Sequence, residues 1–195
     1  MVKFTSRKLK GGTSMKENSS IQKVCSFYVS NMHFATMILP FASKKMVEKT
    51  NLITFFENSF TTNIELVLSR LTISEERKKE LLDINWKDTN VTKYLNIEKI
   101  LKTKLDKNGD NIIIINGREE YINIVNDCIE RYLGRNHKKI EANKVKIMNF
   151  YEVGTFNENI KEILDKHEFV FNTAGEHKIN EIFEGYKKSN EIVNI

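Results

Sequence analysis

The apolar positions of this chain fall into short runs that alternate between two periods. Lys23-Val24-Cys25-Ser26-Phe27-Tyr28-Val29 and Asn51-Leu52-Ile53-Thr54-Phe55-Phe56 read as strands. Between them, residues 33–48 carry Phe34, Met37, Ile38, Phe41 and Val47 near helical spacing, with Ser30-Asn31 as an N-cap. Pro40 lies inside that helix and is expected to kink it or end its first half. The most apolar run, Ile112-Ile113-Ile114-Ile115, has no face left for water, which predicts a strand buried on both sides at the centre of a sheet.

The remaining pattern continues the alternation. Ile64, Val67, Leu68 and Leu71 share a helical face after a Thr61 or Thr62 cap, and Ser74-Glu75-Glu76 starts a short second helix. Leu81-Leu82-Asp83-Ile84-Asn85-Trp86 reads as a strand, and residues 91–105 as a helix. A helix over 118–133 follows the isoleucine strand, with Gly134 as its stop, and Val145–Tyr151 is a further strand. Two helices, 157–168 and 177–188, close the chain around a bend at 169–175. Strands alternating with helices predict an α/β fold in three layers, a mostly parallel sheet of about five strands with helices on both faces. We divide the chain into a flexible basic tail (1–20), an α/β domain (21–156) and a C-terminal helical extension (157–195).

Composition changes this picture at the ends. Residues 1–20 are polar, with Gly11-Gly12 and too little apolar surface to offset ordering, and Met15 offers an alternative start. The net charge of +5 has much of its excess here, in Lys3, Arg7, Lys8, Lys10 and Lys16 against Glu17, so the tail is the route by which nucleic acid could be contacted. Residues 157–188 are rich in apolar positions (Ile160, Ile163, Leu164, Phe169, Phe171, Ile179, Ile182, Phe183, Tyr186) that one helix pair cannot bury alone. They are expected to pack on the sheet, on a partner or on a second copy in a homodimer. Cys25 and Cys128 sit inside apolar patterns and read as reduced core thiols. With no apolar run of membrane length and no secretory h-region, the expected location is the cytoplasm, away from a membrane.

Candidate chemistry is defined mostly by exclusion. The chain contains neither G-x-x-x-x-G-K-[ST] nor G-x-G-x-x-G, and the turn after the first strand, Val29-Ser30-Asn31-Met32-His33, has no glycine to wrap a phosphate. It has no G-x-S-x-G. His33, His137, His167 and His177 are scattered, so no metal or other cofactor is expected, and His167 and His177 read as surface residues flanking a loop.

What remains is the carboxyl edge of the sheet, where open α/β folds bind ligands. It gathers Ser30, Asn31 and His33 after the first strand, and Glu57 and Asn58 after the second. Trp86 and Asp88 follow the third, Asn116, Gly117 and Arg118 the isoleucine strand, and Tyr151 and Glu152 the last. An acid or base, amides, a guanidinium and aromatic rings suit a small polar ligand, with Trp86 stacking on it or anchoring a partner. The alternative is structural: Ser30 and Asn31 cap a helix, and Asn116-Gly117 turns the chain. No residue is assigned a catalytic role.

Lys23–Ser30, then Ile38-Leu39-Pro40-Phe41, then Leu52-Ile53-Thr54-Phe55 resembles the opening of MEDS-type sensory domains: a strand, a helix with a leucine-proline pair, a second strand. The resemblance spans about residues 22–156. It implies a RecA-like α/β core without nucleotide hydrolysis and a role in ligand sensing, as in bacterial and archaeal transcription regulators. The chain departs from that pattern in having no evident helix-turn-helix and in its C-terminal extension. The expected function is a non-enzymatic sensory or regulatory module that binds a small molecule or protein partner at the sheet edge. The competing expectations are a transferase-like enzyme using Ser30, His33, Glu57 and Arg118, and a nucleic-acid-associated protein acting through its tail.

Overall fold

A computed structural model describes residues 21–89, 94–136, 144–154 and 160–188. The basic tail, 1–20, lies outside them. In chain order the elements are β1 (Gln22–Tyr28), α1 (Asn31–Val47), β2 (Asn51–Phe56), α2 (Thr61–Arg70), α3 (Glu75–Leu82), α4 (Tyr94–Lys104), β3 (Asn111–Asn116) and α5 (Glu119–Asn136). They continue with β4 (Val145–Glu152), α6 (Ile160–Asp165), β5 (Phe169–Asn172), β6 (Gly175–Lys178) and α7 (Ile179–Ile182). The fold is the expected three-layer α/β class, with six strands in the order β2-β3-β4-β1-β5-β6. All pairs are parallel except β5 with β6.

Consecutive strand residues serve opposite faces, which explains the four isoleucines. Ile113 and Ile115 join Cys25, Ile53, Phe55 and Ile147 beneath α4, α5, α6 and α7. Ile112 and Ile114 join Val24, Phe56, Met148 and Phe150 beneath α1, α2 and α3. Both faces are covered, as parallel sheets require. β3 is not central, however: it stands one place in from the β2 edge, and β4 and β1 occupy the middle. The chain leaves β1 toward one face through α1 and β4 toward the other through α6. The β1–β4 boundary is therefore the switch point of the sheet.

Four local expectations are corrected. Leu81–Trp86 is no strand. Leu81 and Leu82 finish α3, and the chain then runs beside β2 through isolated hydrogen bonds. Thr54 Oγ1 donates to the Asn85 carbonyl (2.6 Å), Phe60 N to that of Trp86 (2.8 Å) and Thr89 N to that of Phe56 (2.7 Å). The apolar pattern there was real but serves to cover an edge. Of the two expectations for Pro40, an end to the first half of the helix is overturned: α1 runs on to Val47, and the proline is exposed. α5 runs through Gly134 to Asn136.

The fourth correction concerns the C-terminal segment. It supplies strands as well as helices. Phe169-Val170-Phe171 pairs with Val24-Cys25-Ser26 of β1, and Ser26 Oγ donates to the Phe171 carbonyl at 2.8 Å. Gly175, at φ +123°, allows the reversal into β6. Much of the apolar set of this segment packs on the sheet: Ile163, Leu164, Val170 and Ile179 enter one core and Phe171 the other, while Ile160 and Ile182 stay exposed. Among the described residues, no helix is long and apolar enough to cross a membrane.

Candidate functional site

The carboxyl edge is held together largely by its own polar groups. Ser30 caps α1 by accepting from His33 N (3.2 Å), and His33 Nδ1 accepts from Val29 N (3.2 Å). Asn31, Asn58 and Asp88 are exposed. Glu57, after β2, accepts from Arg118 N (2.7 Å), Nε (2.8 Å) and Nη2 (2.5 Å). Burial raises the Glu57 pKa, but the hydrogen bonds and charge of Arg118 outweigh it and hold the carboxyl below its ordinary range. Gly117 makes this lock fit: a Cβ there would stand 2.8 Å from Glu57 Cβ and 2.8 Å from Tyr121 Cδ1.

Asn116 is buried and accepts from the Tyr28 hydroxyl at 3.1 Å, while its Nδ2 meets no acceptor. Glu152 ends β4, half-buried, and its charge helps raise the Tyr28 pKa. Trp86 is in the core. Its ring stacks on Phe56 (5.8 Å, 10°) and its Nε1 donates to the Leu81 carbonyl at 2.7 Å. The fold thus brings Glu57, Arg118 and Asn116 together with Tyr28 and Tyr121. It leaves Ser30, Asn31 and His33 at the head of α1, and it takes Trp86 out of reach of a ligand.

A second polar cluster lies inside the other core. Asn149 sits in mid-β4, level with Ile115 on one side and Cys25 on the other, on the face that carries Ile53, Phe55, Ile113 and Ile147. Beside it is His167, just after α6 and 2% exposed, which corrects its reading as a surface residue. His167 Nδ1 stands 2.5 Å from the Ile163 carbonyl, which can only accept, so Nδ1 carries the proton. Nε2, 2.8 Å from Asn149 Nδ2, is then the acceptor, and the amide nitrogen donates to it. Burial lowers the His167 pKa to about 4. The hydrogen bond to Ile163 opposes this, and the charges of Lys23, Lys166 and Lys188 reinforce it. The ring is neutral at physiological pH.

This bonding orients Asn149. With Nδ2 turned to His167, Oδ1 points away and meets no protein donor; Asn126 Oδ1 on α5 is likewise buried and unpaired. Both residues line a cavity of about 340 Å³, together with Lys23, Asn123, Asp127, Glu130, Tyr151, Lys166 and His167. It opens between α5 and α6, over the β1–β4 boundary. The α5 contribution is a stripe, Asn123, Asn126, Asp127 and Glu130, at the three- and four-residue spacing that shares one helical face. At the rim Glu130 pairs with Lys23, Asp127 with Arg131 (3.7 Å) and Lys166 with Glu119 (3.9 Å). A buried amide oxygen without a partner costs about 1–3 kcal/mol, so two on residues that line one cavity call for an explanation.

Nucleophilic chemistry finds little support here. Cys25 is fully buried, and burial pushes its thiol up to about 12, which keeps it protonated. Among the described residues, no group of three or more His, Cys, Asp or Glu side chains could hold a metal ion.

Strand ends alone do not point to this cavity, whose lining comes largely from the interiors of a strand and a helix. The signal was an asparagine in the middle of an apolar strand, Met148-Asn149-Phe150, together with the polar stripe on the neighbouring helix. Compared with known proteins, the chain matches no family model and no curated protein.

Proposed function

We propose that this chain is a non-enzymatic sensory or regulatory α/β module, and that its ligand is a small polar molecule bound in the cavity between α5 and α6. The observation that carries this reading is the pair of buried amide oxygens, Asn126 Oδ1 and Asn149 Oδ1, left without donors beside a cavity of ligand size. The resemblance to MEDS-type sensory domains supports it. The carboxyl edge fits the same reading less well, because Glu57, Arg118, Ser30 and His33 already have partners within the chain. Those are also the groups a transferase would need free.

A thermal-shift screen of the full chain against small polar metabolites tests the reading. A bound ligand at a hundred times its Kd adds about 2.7 kcal/mol of stability. The shift should vanish in Asn149→Leu and persist in Arg118→Ala. A ligand whose effect depends on Arg118 and not on Asn149 would return the site to the carboxyl edge.

A further inference from the structure

The occupant can be narrowed by chemistry, on the footing of the cavity reading just given. We propose that the cavity takes the zwitterion of a small amino acid, with its ammonium against the side-chain oxygens of Asn126 and Asn149 and its carboxylate toward Lys166.

Three observations lead there. First, the unmet groups at depth are acceptors. The Asn149 orientation is set by the His167 tautomer, so Oδ1 is the atom left over, and Asn126 adds a second oxygen. Two amide oxygens call for a group with several N–H donors, which an ammonium supplies and a hydroxyl does not. The imidazole beside them is neutral and places no positive charge against that ammonium.

Second, the charged side chains lining the cavity are two lysines, Lys23 and Lys166, and two carboxylates, Asp127 and Glu130. This balance suits a ligand of zero net charge with separated poles. A bare cation or anion would leave one sign unmatched in a partly desolvated space.

Third, the lysines are not equivalent. Lys23 is in close contact with Glu130, whereas Lys166 reaches Glu119 only at 3.9 Å and its side chain is 49% exposed. A loosely held lysine at the rim is the one that can turn to a carboxylate. The cavity volume, about 340 Å³, accommodates a small amino acid with room to spare.

The test is calorimetric titration of the full chain with glycine, alanine, serine and threonine, each also as its N-acetyl and its carboxamide derivative. At least one free amino acid should bind. N-acetylation, which removes the ammonium, and amidation, which removes the carboxylate, should each weaken it about tenfold or more. Asn126→Leu should abolish binding of the free amino acid. Lys166→Met, a surface change that leaves the fold alone, should weaken it and bring the free and amidated forms level.

If the carboxamide binds as well as the free acid, the carboxylate half of the proposal falls. If no amino acid binds but another polar molecule stabilises the protein through Asn149, the zwitterion is wrong and the cavity reading stands. If Asn126→Leu and Asn149→Leu both raise Tm and no screened ligand depends on either residue, the cavity reading falls too.

Discussion

Tyr28 and Asn116 meet across an intervening strand. The phenol on β1 donates to Asn116 Oδ1 on β3 at 3.1 Å, spanning β4 between them. Burial pushes the Tyr28 phenol up to about 12, with the Asn116 hydrogen bond opposing and the charges of Glu152 and Glu57 adding to the rise. It therefore remains a donor throughout the working pH range. Tyr28→Phe keeps the ring on Phe34 (centroids 5.4 Å apart) but leaves the whole Asn116 amide unpartnered. We expect a loss of about 1–3 kcal/mol in urea denaturation. A variant as stable as the parent would mean that Asn116 finds another partner.

Gly117 is a glycine for want of space. Gly117→Ala should force Glu57 and Tyr121 apart and loosen the Glu57–Arg118 contact, at about 1–3 kcal/mol. In an Arg118→Ala background part of that cost should disappear, because the contact is already gone. Strict additivity in the double-mutant cycle would show the two effects to be independent.

His167 should make stability depend on pH. Its folded pKa, about 4, lies below the ordinary 6.5, so the unfolded chain binds its proton first. Stability from this group is complete above about pH 6.5 and falls as pH drops toward 4, by a total on the order of 3 kcal/mol. His167→Gln removes the titration. Unfolding free energies measured between pH 4 and 7 should fall more steeply for the parent than for the variant, and parallel curves would refute the assignment.

Truncation after Gly154 should unfold the protein. It removes β5 from the side of β1 and, with it, Ile163, Leu164, Val170 and Phe171 from the two cores. Loss of the cooperative melting transition is the expected result. A soluble, cooperatively melting product would show that residues 155–195 are an appendage.

The fold was legible wherever burial imposed a simple period. Asn51–Phe56 coincides with β2, and the isoleucine run makes up β3 but for an asparagine at each end, because a two-sided apolar run has few other uses. The segment at 81–86 misled because an apolar stretch covering a sheet edge has the composition of a strand without its ladder. Phe169-Val170-Phe171 reads as part of a bend because three residues carry no period, and only the neighbouring β1 makes them a strand. Candidate residues at strand ends could be named from the sequence. That Glu57 would face Arg118, and that Asn149 would face His167, are long-range facts of packing that no local pattern encodes.

The stretch that covers β2 has a consequence for self-association. Thr54 through its hydroxyl and Phe56 through its carbonyl already bond to residues 85–89, so a strand pairing along that side of β2 would compete with them. Among the described residues, β2 and β6 are the two margins of the sheet. A margin whose polar groups are already engaged is a poorer template for a foreign strand than a bare one. A fibre built by strand addition along β2 would first have to displace residues 85–89.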